Sequence, residues 1–333
     1  MPRKNIISLL LIFLAILLPF PISVSAQKTP LPQIAPAQTI LKIDHPDKNQ
    51  LPGKFRTVKY PFITDIDPKY KQQLDAAYQP SRVGLDTLNA SGSAQPSYSE
   101  FQQLASYLEQ QTKNPIYIID LRQESHGIIN GDAVSWYGKH NWANIGKTRQ
   151  TILKEEHSAL KNTLYKTITV AKINKYDQIR SSKNEFVRQA LTEKEMVQAV
   201  GFHYFRITAT DHRWPAAENI DRFINFYKTL PSDVWLHFHC QAGQGRTTIF
   251  MAMFDMMRNP DIPLKDILYR QYLIGGNYSA YTINTTDSSK QWKAKYYNEK
   301  AAMIKIFYQY VQANHTNNFK TIWSVWLKNH STV

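Results

Sequence analysis

The chain of 333 residues carries one cysteine. It stands in the run Val234-Trp-Leu-His-Phe-His-Cys240-Gln-Ala-Gly-Gln-Gly-Arg246-Thr247-Thr248. An apolar stretch ends at the thiol, a turn of Gln241, Ala242, Gly243, Gln244 and Gly245 follows, and a helix is predicted to start at or just before Thr247. Backbone N–H groups of residues 241 to 246 then converge at the positive end of that helix, and the two glycines permit the torsions and close approach required. Such a cradle fits a dianionic phosphate. The same field favours a thiolate over a thiol whose free pKa is about 8.5, so Cys240 reads as a nucleophile. Arg246 can grip two phosphate oxygens with its planar fork and follow the charge as it redistributes in the transition state. Thr247 can donate to the sulfur and help it leave.

Transfer of a phosphoryl group to sulfur also needs an acid for the departing oxygen. Asp211, in Ala209-Thr-Asp-His-Arg-Trp-Pro215, lies 29 residues before Cys240 on a loop that leads into a predicted helix. Once the phosphocysteine forms, the same carboxylate can take a proton from the attacking water. A core cysteine ending a strand, or an Asp capping a helix, would explain each residue singly. Neither explains Gly243, Gly245 and Arg246 beside them. His237 and His239 share one face of the strand, but no third metal ligand is spaced nearby, so His239 reads as structural. A lone cysteine excludes an internal disulfide framework and any Cys₂ or Cys₄ zinc site.

The elements that must hold these residues read as an α/β core. Ser97 and Glu100 form a capping box, and Phe101, Leu104, Ala105 and Leu108 recur at helical spacing, which predicts a helix over 98–111. Pro115 to Leu121, Thr167 to Ala171, Tyr204 to Ile207 and Val234 to His239 are short β-rich apolar runs and read as buried strands. Pro215 suits a first helical position, with Ile220, Phe223, Ile224 and Tyr227 on one face behind it. Another helix is expected from near Arg246 to before Pro260. Residues 140–191 are polar and fit the alternation poorly, so they read as a small β-rich insertion or a long decorated loop. No internal repeat is present.

The chain begins as an export signal does: Arg3 and Lys4, then an apolar run from Ile6 to Phe20, then Val24-Ser-Ala26 where signal peptidase cuts. Cleavage before Gln27 is expected, giving a periplasmic or secreted protein with no membrane span in its mature form. The residues from 27 to 46, with Pro30, Pro32 and Pro36, read as a flexible leader. Removing Arg3 and Lys4 lowers the formal charge only from +14 to +12, so the basic character belongs to the exported part. An anionic partner is expected. No nucleic-acid-binding motif accompanies the charge, and the complete loop from Cys240 to Arg246 argues against a nucleic-acid binder.

His239-Cys240-x5-Arg246-Thr247 resembles the signature of the cysteine-based tyrosine phosphatase superfamily. Asp120-Leu-Arg-Gln-Glu-Ser-His-Gly127, Val134-Ser-Trp-Tyr-Gly138, Trp142-Ala-Asn-Ile-Gly-Lys147, Thr210-Asp-His-x-Trp-Pro215 and Trp323-Ser-Val-Trp-Leu-Lys328 narrow the resemblance to bacterial protein-tyrosine-phosphatase-like phytases. It extends from about Phe55 to the end. It implies a phosphatase core with a small partial β-barrel, which would match residues 140–191 plus part of 47–65 inside one domain over 47–333. It implies hydrolysis of myo-inositol hexakisphosphate and lesser inositol polyphosphates without metal or other cofactor, with a protein tyrosine or phosphoinositide phosphatase as the alternative. Cys240 is then similar to the nucleophile, Arg246 to the phosphate-binding arginine and Asp211 to the general acid. His212, Lys293, Tyr297, Lys300 and Arg56 resemble substrate-phosphate contacts, and a spacing of four and three puts Lys293, Tyr297 and Lys300 on one helical face. Glu124 and His126 would support the scaffold and loop. Two departures stand out: Asn141, where relatives can carry Asp, and Tyr176-Asp177, where they can carry His-Lys. The second weakens the positive rim, and the two are expected to alter regiospecificity or affinity.

Overall fold

A computed structural model describes residues 39–174 and 177–330. The expected export signal, most of the expected leader, and Tyr176 lie outside the described residues. In chain order the strands are β1 (Ile40–His45), β2 (Arg56–Thr57), β3 (Ala90–Ala94), β4 (Ile116–Asp120), β5 (His126–Ile129), β6 (Asp132–Tyr137), β7 (Thr167–Ile173), β8 (Ile179–Phe186), β9 (Ala190–Leu191), β10 (His203–Arg206) and β11 (Trp235–Cys240). The α-helices are α1 (Tyr98–Gln111), α2 (Arg149–Lys161), α3 (Glu193–Ala199), α4 (Ala217–Tyr227), α5 (Gly245–Arg258), α6 (Leu264–Leu273), α7 (Ser288–Asn314) and α8 (Trp323–His330).

The strands form two sheets. The first has the order β10-β4-β11-β3-β2, parallel except for β2, as expected where helices connect buried strands. Period-two alternation decides what each strand residue meets. Leu236, Phe238 and Cys240 of β11 face a core built with α4, α5, α6, α7 and α8, including Phe223, Phe250, Ile267, Ile304 and Trp323. Trp235 faces the opposite core, with Ile116 and Ile118 of β4, Phe101, Leu104 and Leu108 of α1 and Met196 and Val197 of α3. Full burial of each such side chain contributes roughly 1.5–3 kcal/mol, so β11 is held from both sides. Cys240 therefore ends a strand enclosed on both faces. Helix α1 spans the residues expected, with both hydrogen bonds of the Ser97–Glu100 capping box formed.

The second sheet has the open order β8-β7-β1-β6-β5-β9, and no pairing among the described residues closes it into a barrel. It corrects three expectations. Residues 40–45 are a strand, not leader: β1 pairs antiparallel with β6 and parallel with β7 in the middle of the sheet. Its alternation is hidden because Asp44 points inward, where it meets Lys42 at 3.0 Å and Arg122 at 2.8 Å. The insertion extends beyond 140–191, since β5 and β6 precede it and residues 47–65 contribute no strand to this sheet. It also contains the helix α2. That helix has few apolar inward positions because Glu156 sits on its buried face between Ile152 and Leu160 and pairs with Arg206 at 2.6 Å. Pro215 is not the first helical residue either. Ala216, extended, caps α4.

A buried ionic network joins the two sheets. His126 Nδ1 lies 2.9 Å from the Glu124 carbonyl oxygen, and Nε2 lies 3.1 Å from Glu193 and 3.2 Å from Asp120. A carbonyl and carboxylates only accept, so both ring nitrogens donate and the ring is an imidazolium. Asp120, His126 and Glu193 cluster as metal ligands would. The ring has no lone pair left to give, and Tyr204 and Arg206 already occupy Asp120. This is an ion-pair network. Burial opposes the His126 charge, but Asp120 overrides it and pushes the ring up to about 9 from an ordinary 6.5. A raised folded-state value means stability fully present below pH ~6.5 and lost as pH rises through about 9. Across that window the unfolding free energy should fall by on the order of 3 kcal/mol. In His126→Gln most of that slope should vanish, which denaturant titrations at several pH values would read. Equal slopes in both proteins would mean a neutral ring.

Candidate active site

The loop from Cys240 to Arg246 is shaped by where its carbonyls go. The Gln241 oxygen accepts from His45 Nε2 at 3.1 Å and from the Gln95 N–H at 3.3 Å. Gly243 O accepts from Arg56 Nη1 at 2.6 Å, and Gln244 O from Thr248 Oγ1 at 2.7 Å. In a planar trans peptide the N–H points opposite to the C=O. Carbonyls drawn outward by these donors leave the loop N–H groups facing the other way, as an anion cradle requires. Helix α5 starts directly from this loop, and no side chain caps its N-terminus.

Only one of the two glycines is required by the backbone. Gly243 has φ 68° and lies so close to β3 that a Cβ would sit 2.3 Å from the Ala94 nitrogen. Gly245 opens α5, and a Cβ there would meet nothing within 4 Å. The expectation that both glycines serve the turn alike is corrected on this point.

Cys240 is 3% exposed, and the Thr247 hydroxyl donates to its Sγ at 3.2 Å. Arg246 is oriented by Glu124, which accepts from Nη1 at 2.7 Å and from Nη2 at 2.9 Å. Nη1 donates again to Ala209 O at 3.0 Å. The Nε–H, which has no hydrogen-bond partner, and one Nη2–H remain. They form one edge of the fork, suited to two phosphate oxygens. Glu124 itself is fixed by Arg122 Nε at 2.9 Å. Burial pushes the Glu124 carboxyl up, but Arg246 and Arg122 outweigh it and hold it below its ordinary value. The resemblance implies for Glu124 only support of the scaffold and loop. Its partner is 122 residues away.

Asp211 stands beside this fork, with Oδ1 3.4 Å from Arg246 Nε. Asn141 Nδ2 donates to Oδ2 at 2.8 Å, the His212 N–H donates to Oδ1 at 2.9 Å, and Trp142 Nε1 donates to the Asp211 backbone oxygen at 3.0 Å. Burial raises the carboxyl, yet Arg246 chiefly, with His212 and the Asn141 amide, brings it well below the usual carboxylate range. His212, with φ 66° and its ring edge-on to Trp292, keeps a depressed pKa through burial and the cations around it.

Helix α7 brings its expected face to the same place. Lys300 is 8% exposed, with Nζ 4.1 Å from the centre of the Tyr297 ring. Burial lowers it to about 8, and Arg246 repels its charge while Asp211 attracts it. Lys293 lies further along the same helix, exposed, over Trp292. Arg56, expected to resemble a substrate-phosphate contact, turns its guanidinium to the protein instead. It is 1% exposed and binds Gly243 O and Thr248 Oγ1, so it braces the cradle from beneath. Of the two departures, Asn141 touches Asp211 directly, and Asp177 accepts from the Tyr137 hydroxyl with His140 3.6 Å away. Tyr176 lies outside the described residues.

A family model described as inositol hexakisphosphate, the PTP-like phytase model, matches residues 119–258. The tandemly repeated protein tyrosine phosphatase-like phytase of Mitsuokella multacida is similar in structure, with 52% identity, a TM-score of 0.83, and coverage of 87% of this chain and 49% of that one. The same figures hold for the Mitsuokella multacida PTP-like myo-inositol phosphatase in complex with myo-inositol-(1,3,4,5)-tetrakisphosphate. A PTP-like phytase from Bdellovibrio bacteriovorus shares 29% identity at a TM-score of 0.68, over 90% of this chain and 98% of that one. The chain belongs to the PTP-like phytases. Among curated relatives, the effector protein hopD2 of Pseudomonas syringae pv. tomato is 28% identical over 256 residues, 73% of this chain and 52% of its own. The chain thus spans about half the length of the first-named solved structures and of this curated relative. As a PTP-like phytase it has the α/β core with its second sheet, and the turn that follows β6 of that sheet delivers Asn141 and Trp142 to the loop of Asp211.

Proposed function

We propose that the chain is a phosphoric monoester hydrolase that removes phosphate from myo-inositol hexakisphosphate and lesser inositol polyphosphates through a phosphocysteine. The observation that carries the reading is the convergence of Cys240, the free edge of the Arg246 fork and Asp211 in one site, with Lys300 beside them on α7. Family membership and the inositol-phosphate complex of the similar Mitsuokella structure support it.

In the first step the Cys240 thiolate attacks phosphorus. The S–P bond forms as the ester P–O bond breaks, and Asp211 gives its proton to the departing inositol oxygen. In the second step water attacks phosphorus, the S–P bond breaks, and the Asp211 carboxylate takes the water proton. The thiolate and inorganic phosphate are then released. Loop N–H groups and Arg246 supply the positive charge that a metal supplies elsewhere, so the reaction is metal-independent in this reading. Asp211 is ionised beside Arg246, so its proton must come with substrate. A phosphate dianion on the fork offsets the Arg246 charge and raises the carboxyl's proton affinity.

Export to the periplasm or medium is part of the proposal, resting on the first 26 residues. No helix among the described residues is long and apolar enough to cross a membrane.

Substrate class is tested on α7. Lys293→Ala with Lys300→Ala should raise KM for inositol hexakisphosphate by roughly tenfold or more and flatten its ionic-strength dependence, because screened attraction to uncleaved phosphates is what these lysines supply. A small aryl phosphate reaches only the Cys240 loop, where Lys300 stands and the exposed Lys293 does not, so its kcat/KM should hardly change in Lys293→Ala alone. Equal losses on both substrates in Lys293→Ala would assign that lysine to folding. A preference of the unmutated protein for phosphotyrosine peptide would overturn the inositol polyphosphate reading.

A further inference from the structure

Asn141 reaches Asp211 from an uncommon backbone. It ends a short turn after β6, with φ 64° and 5% exposure, and its neighbour His140 is also left-handed at φ 61°. Asn tolerates such torsions better than most residues. The amide spends Nδ2 on Asp211 Oδ2 at 2.8 Å, while Oδ1 is buried with no hydrogen-bond partner. An unpaired buried acceptor costs about 1–3 kcal/mol, so a reason for keeping one is needed. A hydrophobic residue would avoid the cost. An amide offers what a hydrophobic residue or a carboxylate cannot: a donor and an acceptor on one planar group that exchange places by a half-turn.

We propose that Asn141 is a positioning residue for the acid of this site, donating from Nδ2 while Asp211 is a carboxylate and, turned over, accepting the Asp211 O–H at Oδ1 while it is an acid. The inference rests on the proposed role of Asp211. Each turnover in that mechanism takes Asp211 through both forms: the proton leaves to the inositol oxygen in the first step and returns from water in the second. A partner that only donates would hold the carboxylate and resist protonation. A second carboxylate would hold the acid and resist ionisation. The groups facing Asp211 otherwise are Arg246 from α5, His212 beside it, Lys300 and Tyr297 from α7, Glu124 after β4 and Tyr137 from β6. None of these is within hydrogen-bond distance as an acceptor for an Asp211 proton: the His212 Nε2, which could accept one, stands 3.8 Å from Oδ2. Asn141 is the partner placed to do so.

Two substitutions separate this role from support of the fold, each made alone and with Asp211→Asn. Asn141→Gly keeps the torsion and removes the amide. It should lower kcat on inositol hexakisphosphate about tenfold, the size of one hydrogen bond to a charged group, and by less than twofold when Asp211 is already Asn. Asn141→Asp keeps the shape and adds a like charge. It should move the basic limb of the kcat profile to higher pH by about one unit or more, because a neighbouring carboxylate raises the acid's pKa and the protonated form then persists further. A tenfold loss that is the same in the Asp211→Asn background would overturn the inference and leave Asn141 a support of its turn. So would an unmoved basic limb in Asn141→Asp, which remains informative if the Gly variant fails to fold. If Asp211→Asn alone costs nothing, the acid assignment beneath the inference falls, and that result is distinct from either of the others.

Discussion

Cys240→Ser should stop turnover of inositol hexakisphosphate, by a factor on the order of 10⁶, the scale on which a removed nucleophile is felt. The serine hydroxyl would occupy the place of a group that the Thr247 hydroxyl touches at 3.2 Å and that the cradle surrounds. It cannot ionise there as a thiol can, and an alkoxide is not reached by the same field. Binding is a separate matter. The loop N–H groups, the Arg246 edge held open by Glu124, and Lys300 are all untouched, so the affinity of the Ser variant for the uncleaved substrate should stay within a few-fold of the wild-type KM. Single-turnover release of phosphate together with equilibrium binding would check both halves. Turnover near wild type would end the phosphocysteine mechanism. A chelator should leave the wild-type rate unchanged. Loss of activity in EDTA, restored by a divalent metal, would count equally against the mechanism.

What is legible in the sequence of this site is what is local. Cys240, the turn and Arg246 lie within seven consecutive residues, and strand β11 and helix α5 announce themselves by apolar runs on either side. Helix α1 is legible to its ends because the Ser97–Glu100 box and the apolar period agree. The elements that sequence hides are placed by ionic pairs across long separations. Helix α2 turns Glu156 inward toward Arg206, 50 residues on, and so breaks the apolar period that marks a helix. Strand β1 turns Asp44 inward toward Arg122 for the same effect. Buried charges read as surface until their partners are known. Glu124 and Asn141 belong to the same class, because each acts on the site through a hydrogen-bonding partner supplied by a distant part of the chain. Resemblance points to Arg56, but only the fold shows that its guanidinium goes under the cradle.

Asp211→Asn should slow hydrolysis of inositol hexakisphosphate by something like ~10²- to 10⁴-fold, the usual worth of a positioned proton transfer. An inositol oxygen is a poor leaving group and needs the proton as the P–O bond breaks, whereas an activated aryl oxygen departs as a stable anion. The loss should therefore shrink as leaving-group acidity rises. The amide keeps the shape and the bond to the His212 N–H, so a uniform loss on every substrate would point to a misplaced loop. The pH profile gives a second reading. Arg246 holds the Asp211 carboxyl well below its ordinary range, so the acid form depends on bound phosphate to offset that cation. Activity needing this proton is present below the carboxyl's pKa in the complex and lost as pH rises through it, which puts the optimum on the acidic side of neutrality. Because kcat reports the complex, its basic limb should disappear in Asp211→Asn. An alkaline optimum in the wild type, or a basic limb unchanged in the variant, would assign the proton to another group.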